Sequence, residues 1–129
     1  MAKILIIDDE VLVRDNISAY LEDEGYSVLA THSAEAGLAK LSVFEPDLVI
    51  VDLRLEGISG ERFVKTARNL NPSVQFIIHT GSKEYTLPRD LRALDITENN
   101  LMFKPIVDLN QLQQLIQAML NNNKANLSN

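Results

Sequence analysis

Leu48-Val49-Ile50-Val51 is apolar at every position, and Asp52 follows at once. A strand with one wet face alternates apolar and polar residues. An unbroken apolar run instead needs cover on both faces, as in a parallel sheet held between layers of helix. Ile4-Leu5-Ile6-Ile7 repeats the pattern and runs into Asp8-Asp9. Phe76-Ile77-Ile78 leads to Thr80, and Leu101-Met102-Phe103 leads into Lys104-Pro105. Strands of this kind alternating with helical stretches favour right-handed crossovers and a three-layer α/β/α sandwich.

The stretches between these runs carry helical spacing. Val13, Ile17, Tyr20 and Leu21 recur on one face, and Gly25 is placed to stop that helix. Residues 27–31 form a weaker run suited to a sheet edge. Ser33 caps a second helix with Ala34, Leu38 and Leu41 inward, and Pro46-Asp47 breaks before the third strand. Gly57 and Gly60 tighten the loop after Asp52. Phe63, Ala67 and Leu70 then mark a third helix, closed by Asn71-Pro72. Leu87, Leu91 and Leu94 share a face, but Pro88 suits only the first helical position, so the fourth helix starts there after a long loop, 81–87. Asp108 caps the last helix, which turns Leu109, Leu112, Ile116 and Met119 inward. The Asn-rich residues 121–129 read as a frayed tail or linker, which gives a domain over 1–121 and a polar segment over 122–129.

A chain of 129 residues is long enough for one domain with a real core. Its net charge of −6, with Arg and Lys scattered among acids, argues against direct nucleic-acid binding. The absence of cysteine excludes disulfides, thiolate metal sites and cysteine nucleophiles. No apolar stretch approaches the roughly 20 residues that span a membrane, and the N-terminus is unlike a signal peptide. The expected location is the cytoplasm.

Strand ends of an open parallel sheet share one edge, where ligands bind. Acids after the first and third strands point to the flavodoxin-like order 2-1-3-4-5, whose switch point lies between those strands. Asp8, Asp9, Asp52, Thr80 and Lys104 therefore converge despite their distance in sequence. Mg²⁺ takes about six oxygen ligands and keeps several waters. Asp9 and Asp52 suit direct ligation, Asp8 suits a metal-bound water, and the Arg54 backbone carbonyl is close enough in sequence to join them. A carboxylate such as Asp52 can also attack phosphorus and form an acyl phosphate. Lys104 and the Thr80 hydroxyl are then placed to meet the charge on the phosphoryl oxygens.

These four pieces, in this order and each after a strand, resemble the receiver domain of two-component response regulators, over residues 1 to about 121. The family's acidic pair falls on Asp8-Asp9, its phosphoacceptor on Asp52, its strand-end hydroxyl on Thr80 and its Lys-Pro on Lys104-Pro105. The resemblance implies a CheY-like module that takes a phosphoryl group from a sensor histidine kinase or phosphotransfer protein. It also implies an effector domain or protein downstream, and a face of fourth helix, fifth strand and fifth helix for partner binding or homodimers. Three positions depart from the family: Glu56-Gly57 replaces the usual Pro region, Leu101 replaces an aromatic, and Asp95-Ile96-Thr97 replaces a Gly-Ala pair.

Each piece has a plainer reading. Asp8-Asp9 can cap the first helix, Thr80 can be an ordinary strand-end residue, and Lys104 a solvated loop charge. His79 reads as structural, because strand alternation turns it away from Thr80's direction. Arg54 and Ser82 flank the site, where tuning of an attacking water and surface decoration are equally open. A Mg²⁺-dependent aspartyl-phosphate phosphatase is the enzymatic competitor, yet its general acid would fall on Arg54, which does not release a proton at neutral pH. A flavin module would need a phosphate-cradling loop where Asp8-Asp9-Glu10 stands. A receiver-like scaffold that is never phosphorylated is the third alternative.

Overall fold

The computed structural model describes the backbone of residues 2–128 and the side chains of residues 2–122. Five strands, β1 (Lys3–Ile7), β2 (Ser27–Thr31), β3 (Leu48–Asp52), β4 (Gln75–Thr80) and β5 (Leu101–Phe103), alternate with five helices. These are α1 (Val11–Asp23), α2 (Ala34–Phe44), α3 (Gly60–Leu70), α4 (Arg89–Arg92) and α5 (Leu109–Ser128). Every strand pairing is parallel, in the order β2-β1-β3-β4-β5. This is the flavodoxin-like sandwich expected from the sequence.

The unbroken apolar runs divide by alternation between two cores. Leu5, Ile7, Val49, Val51, Phe76 and Ile78 pack under α2, α3 and α4 with Phe63, Val64, Ala67 and Leu91. Ile4, Ile6, Leu48, Ile50 and Ile77 pack under α1 and α5 with Ile17, Leu21, Leu112 and Ile116. All five residues of β3 are buried, which explains why no polar position interrupts it before Asp52. β2 lies at the sheet edge and is only half-buried over most of its length.

Local chemistry sets the element ends. The Ser33 hydroxyl accepts the Ala36 N–H at 3.1 Å and Ser59 does the same for Arg62 at 3.2 Å. Asp108 accepts the Asn110 N–H at 3.0 Å at the start of α5. Gly25, at φ +96°, turns the chain out of α1. Gly60 opens α3 where a Cβ would overlap the Asp52 carbonyl oxygen, so α3 begins against the backbone of β3.

Three expectations change. Leu70 is 65% exposed, because α3 ends there and its last residue projects beyond the sheet. The inner stripe of α3 is Phe63, Val64 and Ala67 instead. The fourth helix does begin after Pro88, but it is a single turn, and Leu87 and Leu91 bury at its base. The polar C-terminal stretch is not an irregular tail up to Ser128, because α5 continues to that residue.

Candidate functional site

Alternation carries Asp8, Asp52, His79 and Lys104 to the same face of the sheet edge. Asp8 lies two residues past Ile6, Asp52 two past Ile50, His79 two past Ile77 and Lys104 two past Met102, all of which face α1 and α5. The sequence places these residues over 90 positions apart, and the parallel register closes the distance. Asp52 is 5% exposed and Asp8 2%. Buried carboxylates need compensation, and here it is concentrated in one ammonium.

The Lys104 Nζ lies 3.1 Å from Asp52 Oδ2, 3.1 Å from Asp8 Oδ2 and 3.0 Å from Glu10 Oε1. Burial alone would lower the Lys104 pKa, but hydrogen bonds to Glu10, Asp52 and Asp8 outweigh it and hold the group above its usual range. Burial raises the pKa of Asp8, opposed by the Glu10 N–H and by Lys104. The Glu10 amide donates to Asp8 Oδ1 at 2.9 Å, and the Arg54 amide donates to Asp52 Oδ1 at 3.2 Å. Both carboxylates are thus held by their own turns as well as by Lys104.

Asp8, Asp9, Glu10 and Asp52 each offer a carboxylate oxygen within 4.8 Å of the others. An all-oxygen set of acids suits a hard dication such as Mg²⁺ and offers nothing to a soft one. Asp8-Asp9 does not cap α1. The cap position belongs to Glu10, whose side chain makes no capping bond. Thr80 ends β4 at 2% exposure, and its hydroxyl accepts the Ser82 N–H at 3.1 Å. Its carbonyl accepts the Lys104 N–H at 2.8 Å, which ties the β5 loop to the end of β4. Among the described residues, no hydrogen bond joins the Thr80 hydroxyl to Asp52 or Lys104.

Two residues were not placed in the site from sequence. Glu10 is a third partner for Lys104. Its only signal was its position beside Asp8-Asp9. His79 does point away from Thr80, as read, but this puts it on the Asp52 face, directly across the register from Asp52. Its Nδ1 lies 4.0 Å from Asp8 Oδ2. Arg54 and Glu56 have exposed side chains in the loop after β3.

The response regulator receiver domain family matches residues 4–117. The chain belongs to that family. This receiver domain is 31% identical over 120 residues to the uncharacterized transcriptional regulatory protein YkoG of Bacillus subtilis, covering 93% of this chain and 51% of YkoG. It spans between about a third and a half of the length of three curated relatives it matches. Among solved structures, a CheY-like receiver domain protein from Methanospirillum hungatei superposes with a TM-score of 0.82 at 26% identity, covering 98% of each chain. The regulator TrrA of Thermotoga maritima, solved with Mg²⁺ and BeF, superposes with a TM-score of 0.80 at 26% identity, over 92% of this chain and 99% of TrrA. No helix among the described residues of this receiver domain is long and apolar enough to cross a membrane.

Proposed function

We propose that this receiver domain accepts a phosphoryl group on Asp52 and thereby switches partner binding or self-association in a two-component phosphorelay. The observation that carries the reading is the Lys104 ammonium shared by Asp52, Asp8 and Glu10 at the carboxyl edge of the sheet. An Asp52 carboxylate oxygen attacks the phosphorus of a kinase phosphohistidine. The P–N bond breaks, its electron pair returns to the imidazole, and an acyl phosphate forms. The donor is a sensor histidine kinase or a phosphotransfer protein. Aspartyl oxygen Oδ1 is held by the Arg54 N–H, which leaves Oδ2, now paired with Lys104, to be exchanged for the reacting geometry.

Lys104 pairs with a phosphoryl oxygen once the group has transferred. The Thr80 hydroxyl accepts the Ser82 N–H through a lone pair, so its own hydrogen is left to donate to another phosphoryl oxygen. Asp9 and Asp52 would hold Mg²⁺, with Asp8 on a bound water and the Arg54 carbonyl completing the protein ligands. When bound, the cation neutralises charge on the transferring group. The unit runs over residues 1–121, works in the cytoplasm, and acts on an effector domain or protein, or on a second copy, through the face of α4, β5 and α5.

Intact mass after incubation with acetyl phosphate and Mg²⁺ tests the reading. One phosphoryl group should add to the wild-type chain and none without a divalent cation. Asp52→Asn should abolish the gain, and an undiminished gain in that variant would refute the assignment. Lys104→Ala should retain Mg²⁺ binding but lower the phosphorylation rate. Loss of Mg²⁺ affinity in a folded Lys104→Ala protein would show that the ammonium organises the ligands instead.

A further inference from the structure

Glu35 reaches out of α2 to the loop between β3 and α3. Its Oε1 accepts the Ile58 N–H at 3.2 Å, across 23 residues of sequence. The carboxylate is carried by a fixed element, since Glu35 lies in the first turn of α2. There the Ser33 hydroxyl caps the helix, and Ala34, the residue before Glu35, is fully buried. Asp9, Glu35, Glu56 and Gly57 line one shallow pocket, so the contact stands beside a candidate cation ligand.

Gly57 is the second observation. It has φ +82°, and a Cβ there would fall 2.5 Å from Glu35 Oε2. A side chain at this position would be strained by its own backbone and would also displace the carboxylate. The loop is pinned at its base by the Gly60 N–H on the Leu53 carbonyl, at 3.3 Å. The next residue, Arg54, donates its N–H to Asp52 Oδ1, and its carbonyl is the loop's candidate ligand for a cation. Among the described residues, the Ile58–Glu35 bond is the one hydrogen bond from residues 54–59 to a part of the chain outside β3 and α3.

We propose that Glu35 is a positioning residue for the Asp52 site. It fixes the path of residues 54–58, and with it the Arg54 N–H on Asp52 and the Arg54 carbonyl offered to the cation. The inference rests on the proposed function for the cation alone; the hold on the Arg54 N–H stands without it. Glu35 is exposed, and an exposed carboxylate contributes little through charge, which water and salt screen. What it supplies is an acceptor at a fixed place. Glutamine keeps that acceptor and drops the charge, whereas alanine removes both.

The test compares Glu35→Ala with Glu35→Gln by NMR on the full chain, with the amides of β1 reporting that each variant is folded. Without metal, exchange of the Arg54 and Ile58 amides should quicken in Glu35→Ala by about three- to tenfold, the range of one net hydrogen bond. In Glu35→Gln it should stay near wild type. Titration with Mg²⁺ alone should then show an affinity in Glu35→Ala about three- to tenfold weaker than in Glu35→Gln. Glu56→Gln, which removes an exposed charge from the same pocket, should match Glu35→Gln. Unchanged Arg54 exchange in Glu35→Ala would overturn the proposal, as would equal Mg²⁺ affinities in the two Glu35 variants. If Glu56→Gln weakens Mg²⁺ binding as much as Glu35→Ala does, charge is responsible and the positioning role fails. A wild-type chain that takes up no Mg²⁺ would instead refute the proposed cation ligands, and the Arg54 amide then decides for Glu35 by itself.

Discussion

β1 and β3 bury their central residues completely on both faces, while β5 is three residues long and none of them is buried. The helices differ in the same sense. α1 and α3 run for 13 and 11 residues, and α4 for 4. Beyond the buried Leu87, Leu91 and Ile96, the segment around α4 is fastened by polar ties. The Tyr85 hydroxyl donates to Glu61 at 2.6 Å, Lys65 pairs with Asp90 at 2.7 Å, and Arg68 donates to the Leu94 carbonyl at 2.7 Å. The acids thus stand on the well-buried half, and Thr80 and Lys104 stand where the thinner half begins. Hydrophobic burial is strong and unselective about partners, whereas hydrogen bonds can be exchanged singly at low net cost. A fixed Asp52 beside a re-arrangeable neighbour is what the proposed switch requires.

The largest effect that sharpens this contrast is in the core. Ile50→Ala in β3 should lower the unfolding free energy by about 2–5 kcal/mol, and Leu101→Ala in β5 by clearly less, because Leu101 is only partly buried. Urea denaturation measures both, and equal losses would erase the distinction between the halves.

The next effect is acid sensitivity at His79, where the two halves meet. Its folded pKa, near 4, lies below the ordinary 6.5. The unfolded chain therefore binds this proton at a higher pH than the folded chain does. Stability is complete above pH 6.5 and declines as the pH falls toward 4, by ~3 kcal/mol over the full window. The raised pKa of Asp8 acts in the opposite sense, since its proton is held more firmly in the fold, and offsets part of the lower end. Urea midpoints measured across this window without divalent cations should show the decline. His79→Leu should remove it, and an unchanged slope would assign it to other groups.

The smallest is Tyr85→Phe. Loss of one hydroxyl bond to Glu61 should cost about 1 kcal/mol. Hydrogen exchange should quicken across residues 81–92 while β1 and β3 are unaffected. Equal quickening in β3 would mean that the loop is not separately fastened.

The same contrast explains what could be read from sequence. Burial on both faces leaves a direct trace, so Ile4–Ile7 and Leu48–Val51 revealed the sheet and, with the acids that follow, its order. Ser33, Gly25 and Asp108 act within their own turns and were equally visible. The misses concern geometry that a local pattern does not contain. Leu70 has the right helical phase, but where the sheet stops beneath it is a tertiary fact. The single turn of α4 is accompanied by polar fastenings to α3, whose partners lie 24 and 25 residues away and are not visible in a local pattern. Glu10 belongs with Lys104 across 94 residues, and only the folded register brings them together. His79 was read against Thr80 when the informative neighbour was Asp52 on the adjacent strand.

The contact of Gly60 with the Asp52 carbonyl has a consequence for how freely this chain can vary. The Gly60 N–H also donates to the Leu53 carbonyl at 3.3 Å, so residues 53–59 leave and rejoin the fold at nearly one point. Within the segment, the Arg54 N–H holds Asp52, the Ile58 N–H donates to Glu35 at 3.2 Å, and Leu55 and Ile58 pack on the core, which leaves the exposed Glu56 as its variable point. The departure at Glu56-Gly57 falls inside it, at two exposed residues. Lengthening the segment is cheap too, since doubling a flexible loop costs only about 0.6 kcal/mol. A new recognition surface can therefore be grafted at Glu56, within a few residues of Asp52, provided that the backbone bonds of Arg54 and Ile58 and the glycine that closes the loop are kept.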